Sequence, residues 1–280
     1  MRKIILIFIL GVIHLNAFGQ AVKVYEIKQN GARGVLNRTE IYRNNQLIQL
    51  NQFDEERQLN FVIKKTYNTQ NQLVKEVKTF KKGHEYDLIT EYYYDSEGRK
   101  SGILRGNNLT GKWYSEGYSY NPQNDVDTIF YYQKNGDLTK IRVFQYEYDN
   151  QSRKTKMTRT DIDLEMDEEL SQSSFFYEYN GQGFSQKTIE KDENGTTNFM
   201  ELLTNTSFDK PKTIILELKG VPTMKTDYSY NSRQKLLRTI DYENGTRTMT
   251  TTYKYNSRGK KIEERFKTKS GYGGEIYVYE

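Results

Sequence analysis

The sequence predicts an all-β protein, an antiparallel meander of about 18–20 strands curled into a curved, flattened or barrel-like sheet. A Tyr-x-Tyr motif recurs about every 26 residues, and turn signals follow each motif and recur about halfway to the next. No stretch after residue 20 has helical periodicity. We therefore expect a signal peptide over residues 1–19 and a single domain of hairpin repeats over residues 20–280.

Each aromatic motif predicts the end of a strand. Residues two apart in a strand face the same side, so both rings of a motif lie on one face of the sheet. The complete pairs are Tyr92/Tyr94, Tyr118/Tyr120, Tyr146/Tyr148, Tyr177/Tyr179, Tyr228/Tyr230, Tyr253/Tyr255 and Tyr277/Tyr279, with weaker copies at Tyr42, Tyr67 and Phe208. If the copies align, tyrosine rows cross the sheet, and the last copy, having one neighbour, contributes less stability than a central one.

Two kinds of turn separate the strands. Asp or Asn follows the motif in most copies and folds its side chain onto the backbone; the positions are Asn68, Asp95, Asn121, Asp149, Asn180, Asp209, Asn231 and Asn256. Residues that tolerate positive φ come three positions later, at Asn71, Gly98, Asn124, Gly183 and Gly259. The second kind lies between motifs, at pairs such as Asn135-Gly136, Asn194-Gly195 and Asn244-Gly245, which are strong hairpin signals. Each repeat is therefore two antiparallel strands and two turns.

The number of strands limits the shape of the sheet. A twisted open sheet rarely exceeds about 10 strands without curling or splitting. A closed barrel of so many strands is too wide for side chains to fill. We expect a curved, partly open or flattened barrel rather than a compact globule.

The N-terminus predicts export. Arg2 and Lys3 precede the apolar run Ile4–Ile13, and Ala17 and Gly19 supply the small residues of a cleavage site. The chain has no cysteine, which excludes a lipoprotein anchor and disulfides. After cleavage 40 basic residues face 37 acidic ones, a net charge of +3 spread along the chain, which argues against nucleic-acid binding.

The sequence supplies little for catalysis. His14 leaves with the leader, and His84 lies in a predicted turn, so serine-type triads and zinc sites lack their residues. The acidic alternation over residues 161–169 indicates a solvated hairpin face, with calcium binding as the alternative. We expect a non-enzymatic binding or scaffold protein without cofactor or metal. The alternatives are a carboxylate-based glycan hydrolase and an outer-membrane barrel, the latter opposed by Lys and Glu on the face away from the tyrosines.

The tyrosine face is the candidate ligand surface. A broad aromatic face suits an extended ligand such as an extracellular glycan, and a cell-envelope protein is the other expected partner. We predict Tyr94, Tyr120, Tyr148 and Trp113 as stacking residues, with packing of the sheet as the competing role for the rings.

The repeat resembles the YD repeat of the RHS family, roughly Tyr-x-Tyr-Asp-x-x-Gly-Arg. Residues 92–99, YYYDSEGR, match throughout; residues 253–260, YKYNSRGK, match with two conservative changes; residues 146–153, YEYDNQSR, lack only the glycine. Small secreted YD-like proteins of Bacteroidetes, some with porin-like β folds, are the closer likeness, which implies an extracytoplasmic β-meander and leaves function open. The structural positions of the motif are Tyr92, Asp95, Gly98, Tyr118, Tyr146, Asp149, Tyr177, Tyr179, Tyr228, Tyr230, Tyr253, Tyr255 and Gly259.

Overall fold

The computed structural model describes residues 19–28, 32–81, 86–205 and 210–280, and in these ranges the predicted all-β fold is confirmed. The predicted leader, His84, Phe208 and Asp209 lie outside them, apart from Gly19. The strands are β1 Gln20–Ile27, β2 Arg33–Arg43, β3 Gln46–Phe53, β4 Leu59–Tyr67, β5 Leu73–Phe80, β6 Asp87–Tyr94, β7 Lys100–Asn107, β8 Trp113–Tyr120, β9 Val126–Tyr132, β10 Leu138–Tyr148, β11 Lys154–Asp163, β12 Glu168–Tyr179, β13 Ser185–Asp192, β14 Thr197–Asn205, β15 Pro211–Leu218, β16 Met224–Tyr230, β17 Leu236–Glu243, β18 Thr246–Tyr255, β19 Lys261–Thr268 and β20 Tyr272–Tyr279. Within the described ranges, no helix is long and apolar enough to cross a bilayer.

The sheet is a closed barrel. Each strand pairs antiparallel with the next one in sequence, and β20 pairs with β1 through Val22↔Tyr279 and Val24↔Tyr277. The even-numbered strands end at one rim, here called the Asx rim, where the turns that follow the aromatic motifs lie. The remaining turns form the opposite rim. Because the ring closes, the last repeat also has a neighbour on each side, which removes the reason to expect a smaller contribution to stability from Tyr279 than from a central copy.

The Asx turns follow the chemistry predicted from the sequence. The Asp95 carboxylate accepts hydrogen bonds from the backbone N–H groups of Glu97 (2.9 Å) and Arg99 (2.8 Å). Gly98 adopts a φ of 78° and donates its N–H to the Asp95 carbonyl at 3.0 Å. Equivalent side-chain bonds cap the turns at Asn68, Asn121, Asp149, Asn180, Asn231 and Asn256.

A β-bulge follows each of these turns. Tyr94 lies opposite Lys100 while Tyr93 lies opposite Gly102, which leaves Ser101 without an opposing residue. The same irregularity leaves Ile48, Val74, Asp127, Thr155, Gln186, Lys212, Leu237 and Ile262 unopposed. Bulges increase local twist and are common at barrel rims. Together with the register shifts at the opposite rim, they give a physical reason for the sheet to curl until it closes.

The barrel has one layer and a sparse core. All substantial contacts between strands join neighbours in the sheet. The buried hydrophobic side chains of the described residues are Val22, Val24, Ile27, Val62 and Ile103, and of these Val24 alone is fully buried. Most other strand residues are half-buried on both faces. Strand pairing and side-chain contacts along the sheet therefore carry most of the stabilisation.

Candidate ligand-binding site

A tyrosine clamp links most repeats to the preceding one on the face that carries the aromatic motifs, called here the tyrosine face. The Tyr120 hydroxyl donates a 2.6 Å hydrogen bond to the Lys100 carbonyl, and the Arg99 guanidinium lies 4.6 Å from the centroid of the same ring. Equivalent hydroxyl–carbonyl bonds join Tyr67 to Leu47, Tyr94 to Leu73, Tyr179 to Lys154, Tyr230 to Pro211, Tyr255 to Leu236 and Tyr279 to Lys261. Equivalent cations lie over rings in the pairs Arg153/Tyr179, Lys210/Tyr230, Lys235/Tyr255 and Lys260/Tyr279.

The expected tyrosine rows do not form. In the described ranges the ring–ring contacts are Phe61–Phe80, Phe80–Tyr86, Phe144–Tyr146 and Tyr146–Tyr148, and none joins motifs of two repeats. The reason is spacing: motifs occupy alternate strands, so they are separated by about 9.6 Å, twice the distance between neighbouring strands. The turn before the intervening strand, or the first residue of that strand, places a Lys or Arg against the rings, and a cation–π contact takes the place of stacking.

The predicted stacking tyrosines lie along the Asx rim with their hydroxyl groups already bonded. Tyr94 donates to the Leu73 carbonyl at 2.8 Å, and Tyr148 donates to Asp125 Oδ2 at 2.8 Å. Their rings and that of Tyr120 are half-buried, and within the described ranges no second layer of the sheet covers them. The remaining motif tyrosines are half-buried near the ends of their strands; they are Tyr92, Tyr118, Tyr146, Tyr177, Tyr179, Tyr228, Tyr230, Tyr253 and Tyr255.

Trp113 lies apart from these tyrosines. It begins β8 at the opposite rim, whereas Tyr120 ends the same strand at the Asx rim. Successive residues of a strand point to alternate faces, and Trp113 is an odd number of positions from Tyr120, so it lies on the other face of the sheet. There its ring covers Gly106, whose missing Cβ would lie 2.0 Å from Trp113 Cδ2. The four predicted residues therefore do not form one site.

The acidic segment 161–169 is not a continuous strand. β11 ends at Asp163, whose carboxylate accepts the backbone N–H groups of Glu165 (2.9 Å) and Met166 (3.1 Å) in the turn. Asp161 is buried and paired with Arg142 at 2.6 Å. Within the part of the chain that the structure describes, no group of three potential metal ligands converges.

A recess lies at the seam where the barrel closes. This seam cleft, of about 860 Å³, opens on the tyrosine face at the Asx rim, between β1, β2, β19 and β20. Its lining combines aromatic, charged and amide side chains: Gln20, Val22, Arg38, Glu40, Tyr42, Asn44, Asn45, Lys260, Lys261, Tyr277 and Tyr279. Residues from the two ends of the chain meet here, so the cleft exists only in the closed barrel.

Arg38 organises the charges beneath the cleft. It bonds Glu40 at 2.6 Å on its own strand and reaches across Val24 to Glu275 on β20 at 3.0 Å. Tyr277 donates to Glu275 at 2.6 Å. Burial opposes ionisation of Glu275, but the bonds from Arg38 and Tyr277 outweigh it and hold the pKa of this carboxyl below its ordinary value.

Two lysines form the other wall of the cleft. Lys260 donates to Gln20 Oε1 at 2.6 Å and lies 5.0 Å from the Tyr279 centroid. Lys261 bonds Glu264 at 2.6 Å and lies 4.5 Å from the Tyr277 centroid. The sequence holds a signal for these residues, since Gly259-Lys260 occupies the place of Gly98-Arg99 in its repeat. Nothing local in the sequence brings them to Gln20.

Comparisons with known proteins return solved structures alone. No family model matches the chain, and no curated protein matches it significantly. The chain aligns over 83% of its length with a TcdB2-TccC3-TEV crystal structure (TM-score 0.38, 15% identity) and spans 14% of that protein. It aligns over 93% of its length with 97% of a porin-like protein from Bacteroides uniformis (TM-score 0.39, 11% identity). A Tc holotoxin pore from Photorhabdus luminescens aligns over 83% of this chain and 16% of its own (TM-score 0.33, 14% identity).

Proposed function

We propose that the protein is an exported, non-enzymatic binding protein and that the seam cleft receives a polyhydroxylated ligand, a glycan end. The observation that carries this is the cleft itself, about 860 Å³ with three tyrosines beside charged and amide side chains. Ligand sites are typically concave, about 300–1,000 Å³, with a few polar groups that fix orientation.

The chemistry of the lining suits a sugar. Tyr42 is half-exposed and its hydroxyl is held by Glu40 at 2.7 Å, which fixes the ring while leaving part of it open for stacking. Asn44 and Asn45 form the exposed turn between β2 and β3 and offer amide donors and acceptors at the mouth. Lys260 adds a cation whose described partners are a neutral amide and an aromatic ring. A ligand with hydroxyl groups and a carboxylate can use all of these groups.

Binding without turnover is supported by the carboxyl groups. A glycoside hydrolase needs one carboxylic acid with a raised pKa to protonate the leaving group. Each described carboxyl group with a shifted pKa has it lowered; the groups are Glu91, Asp95, Asp149, Asp161, Asp227, Glu263 and Glu275. Glu275, which lies beside the cleft and not among its lining residues, is held ionised by Arg38 and is therefore a poor proton donor.

Charges on both faces support a location outside the bilayer. The tyrosine face carries the pairs Arg38–Glu275, Arg142–Asp161 and Arg159–Glu190, and the other face carries Lys75–Glu91, Lys187–Glu178 and Lys254–Glu263. A Lys or Arg on a lipid-facing midplane costs about 2–4 kcal/mol. Among the strands that the structure describes, neither face offers an uninterrupted apolar band, which agrees with an exported protein that does not span the membrane.

A glycan array probed with residues 20–280 tests the proposal. We expect hits that include carboxylated glycans, and a Kd at least about tenfold weaker for Tyr42→Ala and for Lys260→Gln. The matched control is Lys235→Gln, which removes the equivalent lysine one repeat earlier, 6.0 Å from the Tyr255 centroid and outside the cleft. Unchanged binding in both cleft variants, with loss in Tyr120→Ala or Trp113→Ala, would move the site to the residues predicted from the sequence.

A further inference from the structure

The hairpin formed by β11 and β12 extends beyond its neighbours at the opposite rim. β12 pairs with β11 from Glu168 to Phe176 but with β13 only from Ser173 to Tyr179. β13 ends at Asp192 and turns away toward β14. Within the described residues, the segment Glu168–Gln172 therefore has a strand on one side only, and all five of its residues are exposed.

The two sides of this hairpin differ. On the β10 side the tip is held, because Leu164 N–H donates to the Thr139 carbonyl at 2.9 Å and Gln133 donates to Glu165 at 3.0 Å. On the β12 side the backbone of Glu168–Gln172 has no hydrogen-bond partner among the described residues beyond β11. A barrel normally removes open strand edges, and this overhang restores one of five residues, about 17 Å long.

The exposed side chains around this edge indicate what fits it. Glu165, Asp167, Glu168 and Glu169 are exposed carboxylates, and the described residues place no Lys or Arg in a salt bridge with any of them. Several acidic residues elsewhere in the sheet are paired, as Glu91 is with Lys75 and Glu190 with Arg159. Leu170 adds an apolar side chain that is 43% exposed, at a bulge opposite the gap between Asp161 and Ile162.

We propose that the edge Glu168–Gln172 accepts one added β-strand from a partner, an extended segment with Lys or Arg alternating with apolar residues. Backbone hydrogen bonds along an open edge supply affinity in strand addition, and alternate side chains supply selectivity. Glu168 and Glu169 are successive residues that point to opposite faces of the sheet, so the cationic side chains of the added strand meet one of these carboxylates and its apolar side chains lie on the other face.

A synthetic peptide tests this surface directly. The probe is fluorescein-labelled KVKVKVK with a C-terminal amide, and binding to residues 20–280 is followed by fluorescence anisotropy. We expect saturable binding that weakens at least about tenfold when the central valine is replaced by proline, which keeps the charge but prevents strand pairing. Hydrogen exchange of the amides in Glu168–Gln172 slows when the peptide is bound.

The variant with Glu168→Lys and Glu169→Lys tests the location, and we expect at least about tenfold weaker binding. The matched control carries Glu55→Lys and Glu56→Lys, which reverses two adjacent exposed acids in a turn of the same rim, between β3 and β4. Equal loss in the two variants, or equal binding of the proline peptide, would reduce the effect to general charge attraction and overturn the proposal. A protein that self-associates through this edge in sedimentation, and loses the dimer in the Glu168/Glu169 variant, would show that the occupant is a second copy instead.

Discussion

The Arg99 guanidinium lies 4.6 Å from the centroid of the Tyr120 ring, although the two residues belong to successive repeats. The same tyrosine donates its hydroxyl to the carbonyl next to that arginine, at 2.6 Å. The Gly-Arg end of one motif and the second tyrosine of the next motif are therefore one structural unit. This unit explains why a chain poor in aliphatic residues, with a mean hydropathy of −0.90, holds a large sheet together.

The hydroxyl bond of the clamp predicts a measurable effect. Tyr120→Phe removes the bond to the Lys100 carbonyl and keeps the ring, so we expect a loss of about 1 kcal/mol in the free energy of unfolding. Tyr93→Phe is the control, because Tyr93 is 49% exposed and its hydroxyl reaches only the Glu91 side chain at 3.2 Å. Urea denaturation followed by circular dichroism measures both. Equal losses would show that the clamp bond adds nothing beyond an exposed hydroxyl contact.

The turn at residues 180–184 contains a matched pair of glycines. Gly183 has a φ of +86°, whereas Gly181 is outside the left-handed region and has open space around its Cβ position. We expect Gly183→Ala to destabilise the protein by about 1–2 kcal/mol, because an alanine is strained at positive φ. Gly181→Ala should change stability by less than about 0.5 kcal/mol. Thermal denaturation of the two variants compares them, and a reversed order would contradict the assignment of this turn.

The local parts of this fold could be predicted from the sequence, and the parts that depend on closure could not. Asp95 and Gly98 determine a turn within five residues, so the local sequence alone predicts it. The pairing of β1 with β20 depends on twist accumulated over the whole ring, to which the bulges beside residues such as Ser101 contribute. No local sequence pattern shows this accumulated twist, so the sequence alone does not distinguish a closed ring from an open sheet.

The same limit applies to the candidate site. The sequence predicts that tyrosines share one face, and Tyr94, Tyr120 and Tyr148 do lie along one rim. It could not reveal that each hydroxyl is used by the preceding turn or strand, since that contact joins residues about 20 apart. The face on which Trp113 lies could be predicted from the sequence. Trp113 is separated from Tyr120 by an odd number of positions in the same strand, which places the two side chains on opposite faces.

Folding raises the pKa of many tyrosines, which predicts instability in alkali. Burial is the largest cause in each case, and the described tyrosines affected are Tyr42, Tyr92, Tyr93, Tyr118, Tyr120, Tyr131, Tyr146, Tyr148, Tyr177, Tyr179, Tyr228, Tyr230, Tyr253, Tyr255, Tyr277 and Tyr279. A raised pKa stabilises the folded state below the unfolded value of about 10, and that stabilisation is lost as the pH rises through the folded value. We expect phenolate absorbance to appear at a higher pH than in free tyrosine, and at the same pH at which circular dichroism shows unfolding. Titration of most tyrosines near pH 10 in an intact barrel would contradict the burial of the rings.

The seam predicts a response to acid that differs from the rest of the barrel. Glu275 has a lowered pKa when folded, so its stabilisation is present above the unfolded value of about 4.3 and is lost as the pH falls through the folded one. Glu275→Gln removes the charge that Arg38 meets across Val24. We expect the free energy of unfolding to fall by about 1–2 kcal/mol at neutral pH and to decline less steeply between pH 5 and pH 3 than in the unchanged protein.

Hydrogen exchange of β1 reports closure directly, because β1 joins β2 to β20. Asp161→Asn is the control: it breaks another arginine–carboxylate pair, with Arg142, far from the seam. If β1 exchanges no faster in Glu275→Gln than in Asp161→Asn, the Arg38–Glu275 pair does not hold the barrel closed. Faster exchange confined to β1 and its two neighbours would identify this seam as the place where the ring first opens. The reason is that Glu275→Gln removes a contact from β2 to β20 across β1 and leaves the pairing of the other strands intact.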